Sequence, residues 1–219
     1  MKDTIFEGSS TPLQLWFYVM FQIYISRNGI SATEIQKICG ITYKTAWRMA
    51  KLIRSCLAET TKAKMNGVIE MDETFIGGRK KLDKNGNKGI GDKAIVFGMR
   101  NRETKEVRLF HIEKKDKSTM LRIVEDNIEK GATIYTDKYA VYLELGTMGY
   151  DHKVIGSKRR KSEVHTNSIE TVWSYLKIPM RSTHRHISAK HLQTYLDEQA
   201  FKYNHRDISF VEFVKIIIS

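Results

Sequence analysis

The pattern of apolar and polar residues divides the chain into a helical beginning and a longer part in which strands alternate with helices. Residues 12–62 are predicted to be almost wholly helical, because apolar side chains recur there at helical spacing. The apolar positions of the first helix are Leu13, Trp16, Phe17, Met20 and Tyr24. This helix is amphipathic in outline but has a wide apolar surface.

Two breaks divide the helical region into three helices. The Asn-Gly pair at 28–29 ends the first helix. Ser31, with Glu34 three residues later, predicts a capping box at the start of the second helix. Gly40 ends the second helix, and Thr42 can cap a third.

Beyond a polar junction at about 62–66, short β-rich segments replace the helical pattern. The predicted strands are 67–76, 93–101, 106–113, 132–136 and 152–155, and the predicted helices are 118–129, 138–145, 167–178 and 188–204. This order matches an α/β fold of the ribonuclease-H-like class, a mixed sheet with flanking helices, although many α/β folds share parts of it. We therefore predict a small all-α domain over 1–63 and a ribonuclease-H-like core over 64–219.

Length and charge indicate the class of partner. The chain has 219 residues, enough for one α/β core and a small accessory domain. Its 37 Lys and Arg exceed its 25 Asp and Glu, and the net charge of +12 favours nucleic acid as partner. The most apolar stretch, Leu13 to Ile25, is shorter than the roughly 20 residues of a membrane span. No basic leader precedes this stretch, and the two cysteines match no metal-binding or redox spacing. We therefore expect a cytoplasmic protein.

Residues 32–53 fit a helix-turn-helix that binds DNA. Gly40 lies in the turn, Ile41 fills it, and Ala46 and Met49 face inward at the expected offsets. The second helix of the motif would present to a DNA groove the side chains of Tyr43, Lys44, Thr45, Arg48 and Lys51. An ordinary helical hairpin is the alternative.

Three acidic residues are notable for the elements that carry them. Asp72 lies on the first strand, on the same face as Glu70. Asp137 directly follows the strand 132–136, at the carboxyl edge where α/β sheets bind ligands. Glu170 lies on a helix, beside the apolar stripe that would pack on the sheet. Taken singly, each has an ordinary structural explanation, but together they suit phosphodiester chemistry with two Mg²⁺ ions about 4 Å apart.

Three segments, 69–78, 134–137 and 165–177, resemble the motif blocks of bacterial insertion-sequence transposases of the DDE superfamily. The nearest group carries a zinc ribbon and a helix-turn-helix before an integrase-like core. The resemblance covers essentially the whole chain, including the ending from Tyr195 to Asn204. It implies a transposase that cuts double-stranded DNA at the ends of the element and transfers the exposed 3′-hydroxyl to target DNA.

The resemblance also implies roles for single residues. Carried over by position, Asp72, Asp137 and Glu170 would bind Mg²⁺ or Mn²⁺, and Lys177 would contact DNA. Asn167 stays an alternative third active-site residue, because some members of the group are described with Asn there. We prefer Glu170, because an anionic oxygen binds Mg²⁺ better than an amide.

Several further expectations follow from the basic residues and from the family. Lys158, Arg159 and Arg160 precede the helix of Glu170 and would hold phosphates. The histidines His184, His186 and His191 are expected to contact phosphate or solvent rather than zinc. The family implies a homodimer or larger assembly on DNA, associated with the nucleoid and without a membrane. Because the paired Cys-x-x-Cys units of the ribbon have no counterpart in this sequence, a truncated copy that binds DNA without cutting is an alternative, as is a nuclease of the same fold.

Overall fold

The computed structural model describes residues 4–58, 63–77, 93–155, 166–185 and 187–218. The basic residues Lys158, Arg159 and Arg160, and also His186, lie outside these described ranges. Within the ranges, none of the helices has the length and apolarity needed to cross a bilayer.

Three helices form the first part of the chain. They are α1 (Leu13–Ile25), α2 (Ala32–Cys39) and α3 (Tyr43–Cys56). The capping box of α2 is confirmed: the Glu34 amide donates to the Ser31 hydroxyl at 3.2 Å, and the Ser31 amide donates to the Glu34 carboxylate at 2.8 Å. Gly40 ends α2 with a φ of 64°, a left-handed conformation that suits glycine.

Five strands form one mixed sheet in the order β3-β2-β1-β4-β5. Their bounds are β1 (Val68–Ile76), β2 (Ala94–Asn101), β3 (Val107–Ile112), β4 (Thr133–Thr136) and β5 (Asp151–Val154). The strands β1, β2 and β3 form an antiparallel meander, and β4 pairs in parallel with both β1 and β5. The predicted ribonuclease-H-like arrangement is confirmed, with β1 at its centre.

Helices cover both faces of the sheet. The helices after the first three are α4 (Lys117–Asn127), a short 3-10 helix (Ala140–Glu144), α5 (Asn167–Arg181), α6 (Ala189–Asn204) and α7 (Phe210–Ile218), and the sheet is covered by all of these except α7. On one face, α4 and the 3-10 helix bury Val124 and Tyr142 in a cluster with residues of β1, β2 and β4. On the other face, α5 and α6 bury Trp173 and Leu196 with residues of β1, β2 and β3.

The end of the chain differs from the prediction that the helix at 188–204 is the last. That prediction is wrong, because α7 follows it. A second capping box starts α7: the Glu212 amide donates to the Ser209 hydroxyl at 3.2 Å, and the Ser209 amide donates to the Glu212 carboxylate at 3.0 Å. The side chains of Phe213 and Ile217 are buried in one cluster with residues of α1, α2 and α3.

Helix α5 also runs further than the pattern predicts, through Pro179 to Arg181 instead of ending at 178. A proline removes one backbone donor from a helix. The carbonyl of Pro179 nevertheless accepts the amides of Thr183 at 3.0 Å and His184 at 2.9 Å. Pro179 is buried, so packing against the core offsets the missing hydrogen bond.

Buried charges join the helical region to α6. The Glu198 side chain is fully buried and accepts hydrogen bonds from Arg54 Nε and Lys202 Nζ, both at 2.6 Å. Arg54 also donates to the Ile30 carbonyl at 2.9 Å, and Lys202 to the Ser26 carbonyl at 2.8 Å. Burial alone would raise the pKa of Glu198, but Lys202 and Arg54 hold it well below its usual range. The predicted division at residue 63 stays a prediction, but α6 packs on both sides of it.

Two amide side chains of α6 bond to the outer edge of β3. Asn204 accepts from the Val107 amide at 2.8 Å and donates to the Val107 carbonyl at 2.9 Å. Gln193 donates to the Leu109 carbonyl at 2.9 Å and accepts from the His111 amide at 2.7 Å. The backbone groups that β3 turns away from β2 are therefore paired at these positions.

Candidate active site

Two of the predicted acidic residues lie close together at one edge of the sheet. Asp72 lies on β1, and Asp137 directly follows the end of β4. The strands β1 and β4 pair in parallel, from Val68 with Thr133 to Glu70 with Tyr135, so both strands run towards the same edge. Both side chains are partly buried, and the charge of Asp137 raises the pKa of Asp72. The sheet therefore brings Asp72 and Asp137 together at its carboxyl edge.

Asp72 carries its charge in an unfavourable setting. Burial is the largest cause that raises its pKa, and the charges of Glu73 and Asp137 add to it. The hydrogen bond from Trp173 Nε1 to Asp72 Oδ2, 2.9 Å long, acts in the opposite direction. Two adjacent carboxylates with this mutual repulsion suit a divalent cation, since hard anionic oxygens are the ligands that Mg²⁺ prefers. The donor set of Asp72 and Asp137 thus fits such an ion.

A glycine on the neighbouring strand makes room for the indole ring that orients Asp72. Gly98 of β2 is the register partner of Asp72. A Cβ atom at Gly98 would lie 2.2 Å from Cη2 of Trp173, well inside van der Waals contact. The absence of a side chain at this position lets the Trp173 ring lie across the sheet and reach Asp72.

Glu70, the acidic neighbour of Asp72 on the same face, has a structural role. Its fully buried Oε2 accepts the backbone amides of Ser168 and Ile169, both at 3.0 Å, and its Oε1 accepts from Arg102 Nε at 2.6 Å. These amides belong to the first turn of α5, where a negative charge is favourable. Glu70 therefore caps α5 from another element and fixes its start on β1. Sequence reasoning noticed the unusual acidity of β1 but not this contact.

Glu73 lies on the opposite face of the sheet. Its carboxylate accepts a hydrogen bond from the Tyr142 hydroxyl and another from Lys115 Nζ at 2.9 Å. Burial, together with the charge of Glu73, raises the pKa of Tyr142 well above its usual value. Of the three acidic residues in the 70–73 segment, only Asp72 is thus placed beside Asp137.

Glu170 and Asn167 both lie exposed in the first turn of α5. At the helical step of about 100° per residue, Glu170 lies roughly 60° around the axis from Trp173, and Asn167 roughly 120°. Because Trp173 contacts Asp72, Glu170 is directed closer to the two aspartates than Asn167 is. Across the described ranges, however, no three His, Cys, Asp or Glu side chains converge closely enough to hold a metal ion. The structure pairs Asp72 with Asp137 but does not bring Glu170 into the same group.

Lys177 lies one helical turn after Trp173, on the side of α5 that faces Asp72. Its side chain is partly buried, and this burial lowers its pKa, as does the charge of Arg181. The charge of Asp72 raises it. This electrostatic contact places a cation beside the paired aspartates, where the sequence resemblance expects a DNA contact.

The residues predicted to face DNA on α3 are exposed, with one exception. Tyr43 has 52% of its surface accessible, and Lys44, Arg48 and Lys51 are also exposed. Thr45 is only partly exposed, and its hydroxyl lies 2.9 Å from that of Thr42. The predicted turn is formed by residues 40–42 between α2 and α3.

The expectation that His184 contacts phosphate or solvent is wrong. His184 is buried, with its ring 4.7 Å from that of Tyr195 in an edge-on contact. Burial lowers its pKa to about 4, although the charge of Glu198 acts in the opposite direction. His191 is partly exposed and lies against Trp47 at 5.5 Å between ring centroids. The packing of α6, which is distant in sequence from the helical region, explains both placements.

The charge of Asp72 leads to a prediction about stability. A carboxyl group whose pKa is raised by folding stabilises the folded state below its unfolded pKa, and this contribution is lost as the pH rises through the folded pKa. Asp72→Asn removes this cost, and the asparagine oxygen can still accept the Trp173 hydrogen bond. In EDTA at neutral pH, we expect the variant to melt higher than the wild type by roughly 2–4 °C per kcal/mol gained.

Differential scanning calorimetry between pH 3 and 8 would measure the difference. The increase in melting temperature should become smaller as the pH falls towards about 4, near the usual pKa of aspartate. Asp126→Asn, at an exposed position on α4, is the matched control and should leave the melting temperature unchanged. A lower melting temperature for Asp72→Asn at neutral pH would contradict the prediction.

Comparison with known proteins gives one match in sequence and several in structure. The sequence pattern of the ISXO2-like transposase domain matches residues 64–204. Among curated proteins, none matches the chain in sequence. A solved structure of the simian T-cell lymphotropic virus intasome, in complex with a PP2A regulatory subunit, contains a similar chain. That chain is 12% identical in sequence, with a TM-score of 0.43. The match covers 82% of this chain and 66% of that one. The catalytic core domain of BIV integrase is 10% identical, with a TM-score of 0.42, and the match covers 66% of this chain and 87% of that one.

Proposed function

Because the chain belongs to the ISXO2-like transposase family, we propose that it cuts DNA at the ends of an insertion sequence and transfers the exposed 3′-hydroxyl to target DNA. The observation that carries this proposal is that Asp72 on β1 lies close enough to Asp137, directly after the parallel strand β4, for the charge of Asp137 to raise its pKa. The raised pKa of Asp72 supports the proposal. Carboxylates that folding holds close together despite their mutual repulsion are typical of a site that binds a cation.

The residues that would hold the metal are Asp72, Asp137 and Glu170. When bound, Mg²⁺ or Mn²⁺ would supply Lewis-acid activation of the attacking hydroxyl and stabilisation of the departing oxygen. Trp173 holds one oxygen of Asp72 in place. Glu70 anchors the first turn of α5, which carries Glu170. A small adjustment of this turn on DNA binding would bring Glu170 to the aspartates.

Lys177 would bind the phosphate next to the scissile bond. A lysine is a compact point charge and suits this role. Its partial burial and the nearby charge of Asp72 restrict its position. The chain's own contribution to the reaction is therefore to hold the phosphodiester between a cation on α5 and two carboxylates on the sheet.

For DNA binding, we propose that α3 enters the major groove and that Tyr43, Lys44, Arg48 and Lys51 contact it. Their exposure supports this role. Thr45, which is partly exposed, would lie at the edge of that contact. The segment of Lys158, Arg159 and Arg160 would bind phosphates near the active site. The partner is double-stranded DNA, and two copies are expected to act on the two ends of one element.

The choice between Glu170 and Asn167 gives a separate prediction. We expect Glu170→Gln to lower strand cleavage by roughly 100-fold, the loss of about 3 kcal/mol of transition-state stabilisation. Asn167→Ala should change the rate by less than about threefold, because the side chain is directed further from Asp72. Single-turnover cleavage rates with Mn²⁺ would measure both. A loss in Asn167→Ala alone would show that asparagine is the third active-site residue.

The experiment that tests the proposed function uses linear DNA that carries the inverted repeats flanking the gene. The protein is incubated with this DNA in Mg²⁺, in Mn²⁺ or in EDTA, and nicked and joined products are resolved on denaturing gels. We expect products only with a divalent metal ion. Specific binding without any product would indicate instead a copy that binds DNA but does not cut it. Cleavage without strand transfer would indicate a nuclease of the same fold.

A further inference from the structure

A cleft lies away from the paired aspartates, between the end of α1 and the end of α6. Its volume is about 550 Å³. Its lining includes Arg27, Tyr175, Phe201, His205 and Arg206. Tyr175 belongs to α5, but it lies about 200° around the helix axis from Trp173, so the cleft and the paired aspartates lie on different sides of the same helix.

Cations and aromatic rings alternate along one side of this cleft. The guanidinium of Arg27 lies 6.0 Å from the centre of the Tyr175 ring, which meets the Tyr203 ring at 5.6 Å. The guanidinium of Arg206 lies 4.2 Å from the centre of the Tyr203 ring. Arg27 and Arg206 are both exposed, and their charges both act on the Tyr175 hydroxyl. Two guanidinium groups thus flank a pair of tyrosines in edge-on contact, of which Tyr175 lines the cleft.

The charged side chains that line the cleft are positive. Its lining includes three basic side chains, Arg27, Lys202 and Arg206, and no acidic side chain among the described residues. Lys202 is already bonded to Glu198 and to the Ser26 carbonyl, so it forms part of the wall. The two arginines therefore supply the positive potential that an incoming group would meet.

Other aromatic rings also line the cleft. The rings of Phe201 and His205 lie 4.4 Å apart and are tilted by 33°. Tyr24 is held by the hydrogen bond from its hydroxyl to the Ile208 carbonyl at 2.9 Å. These rings give the cleft flat apolar surfaces that are fixed by packing. A planar ring system with an attached anion matches this combination of flat walls and guanidinium groups.

We propose that this cleft binds an unpaired nucleotide of a DNA strand, with the base against the tyrosine and the phosphate between Arg27 and Arg206. The inference rests on the proposed function, since it assumes that the chain acts on DNA. The cleft, with a volume of about 550 Å³, has room for one nucleotide. Base stacking on aromatic side chains also requires a base whose faces are open. The site would hold a strand that has been released from pairing while α3 holds the duplex.

The test compares the binding of two DNA probes by fluorescence anisotropy. One probe is a short single-stranded oligothymidine, and the other is a blunt duplex that carries the inverted repeat. The variants are Tyr175→Leu and the double substitution Arg27→Ala with Arg206→Ala. The matched control is Arg122→Ala, which removes an exposed arginine of α4 on the opposite side of the sheet. Melting temperatures establish that each variant is folded.

We expect both cleft variants to bind oligothymidine about tenfold more weakly, the change that the loss of one base-stacking contact gives. Their affinity for the duplex should stay within about twofold of the wild type, and Arg122→Ala should bind both probes normally. Photo-crosslinking with 5-iodouracil in the oligonucleotide should label the peptide that contains Tyr175. Arg48→Ala, on α3, should bind the duplex more weakly and bind oligothymidine as the wild type does.

Several outcomes would overturn the inference. Equal oligothymidine binding by the wild type and the cleft variants would do so, as would an equal loss in Arg122→Ala, which would indicate diffuse charge attraction. If the wild type binds the duplex but not oligothymidine, the inference about the cleft is wrong and the proposed function still stands. Failure of the wild type to bind the inverted-repeat duplex would count against the proposed function, and it is measured separately.

Discussion

Asp72→Ala and Asp137→Ala are each expected to abolish DNA strand cleavage while the protein stays folded and binds duplex DNA. Each substitution removes one of two carboxylates that lie close together at the carboxyl edge of the parallel strands β1 and β4. Metal coordination contributes several kcal/mol to such reactions, so we expect a loss on the order of 10³-fold or more. Because α3 packs in the cluster of α1, α2 and α7 and not in the clusters of the sheet, binding of the inverted-repeat duplex should change by less than about twofold.

Cleavage rates on the inverted-repeat substrate, measured under single-turnover conditions, would check this expectation. Asp126→Ala is the matched control, since it removes an exposed aspartate of α4. Isothermal titration with Mn²⁺ provides an independent readout, in which both active-site variants should bind the ion more weakly than the wild type. Activity of either alanine variant at the wild-type rate would end the proposal that these aspartates are catalytic.

Glu198→Ala is expected to cost about 3–5 kcal/mol of folding stability, the typical effect of removing one partner from a buried ion pair. The variant leaves Arg54, whose side chain is only 3% exposed, and Lys202, which is 10% exposed, without their common carboxylate. Those two charges would then be buried without a partner, which is the source of the cost. Urea denaturation followed by circular dichroism would measure the loss.

The pH dependence of this pair has a definite sign. Folding depresses the pKa of Glu198, so its contribution is present above the unfolded pKa of about 4.3 and fades as the pH falls further. The difference in folding stability between the wild type and Glu198→Gln should therefore become smaller below about pH 4. Removing all three charges together, with methionine at each position, should restore much of the stability.

An exposed pair provides the comparison for the buried one. Glu125 and Lys130 form a salt bridge at 3.1 Å with about half of each side chain accessible. Glu125→Ala should cost less than about 1 kcal/mol. A similarly small cost for Glu198→Ala would show that the buried charges do not join the helical region to α6 in the way described.

Much of the fold could be predicted because its determinants are local. The capping box of Ser31 and Glu34 is readable within a few residues and is found in the structure. The alternation of β1 between two faces is equally local, with Met71 in the cluster on one face and Asp72 bonded to Trp173 on the other. The last helix was readable in the same way, since Ser209 and Glu212 form the same kind of box. The strand order then follows from the succession of elements.

The composition of the candidate site depends on contacts that no local pattern shows. The sequence marks Glu70, Asp72 and Glu73 as equally acidic, but only the packing of α5 on β1 separates a cap from a candidate ligand. The burial of His184 likewise requires α6 to meet the helical region. For the same reason, the sequence predicts that Glu170 lies beside the apolar stripe of its helix but does not predict its distance from the aspartates.

The amides of Gln193 and Asn204 on β3 restrict how this protein can assemble. An open sheet edge can recruit a strand from another copy, either in a functional dimer or in an aggregate. Here the β3 edge already has partners at Val107, Leu109 and His111, so a second copy cannot extend the sheet there. Among the described strands, only the β5 edge is left for pairing with a strand of a second copy, and loss of these two amides would expose a strand prone to aggregation.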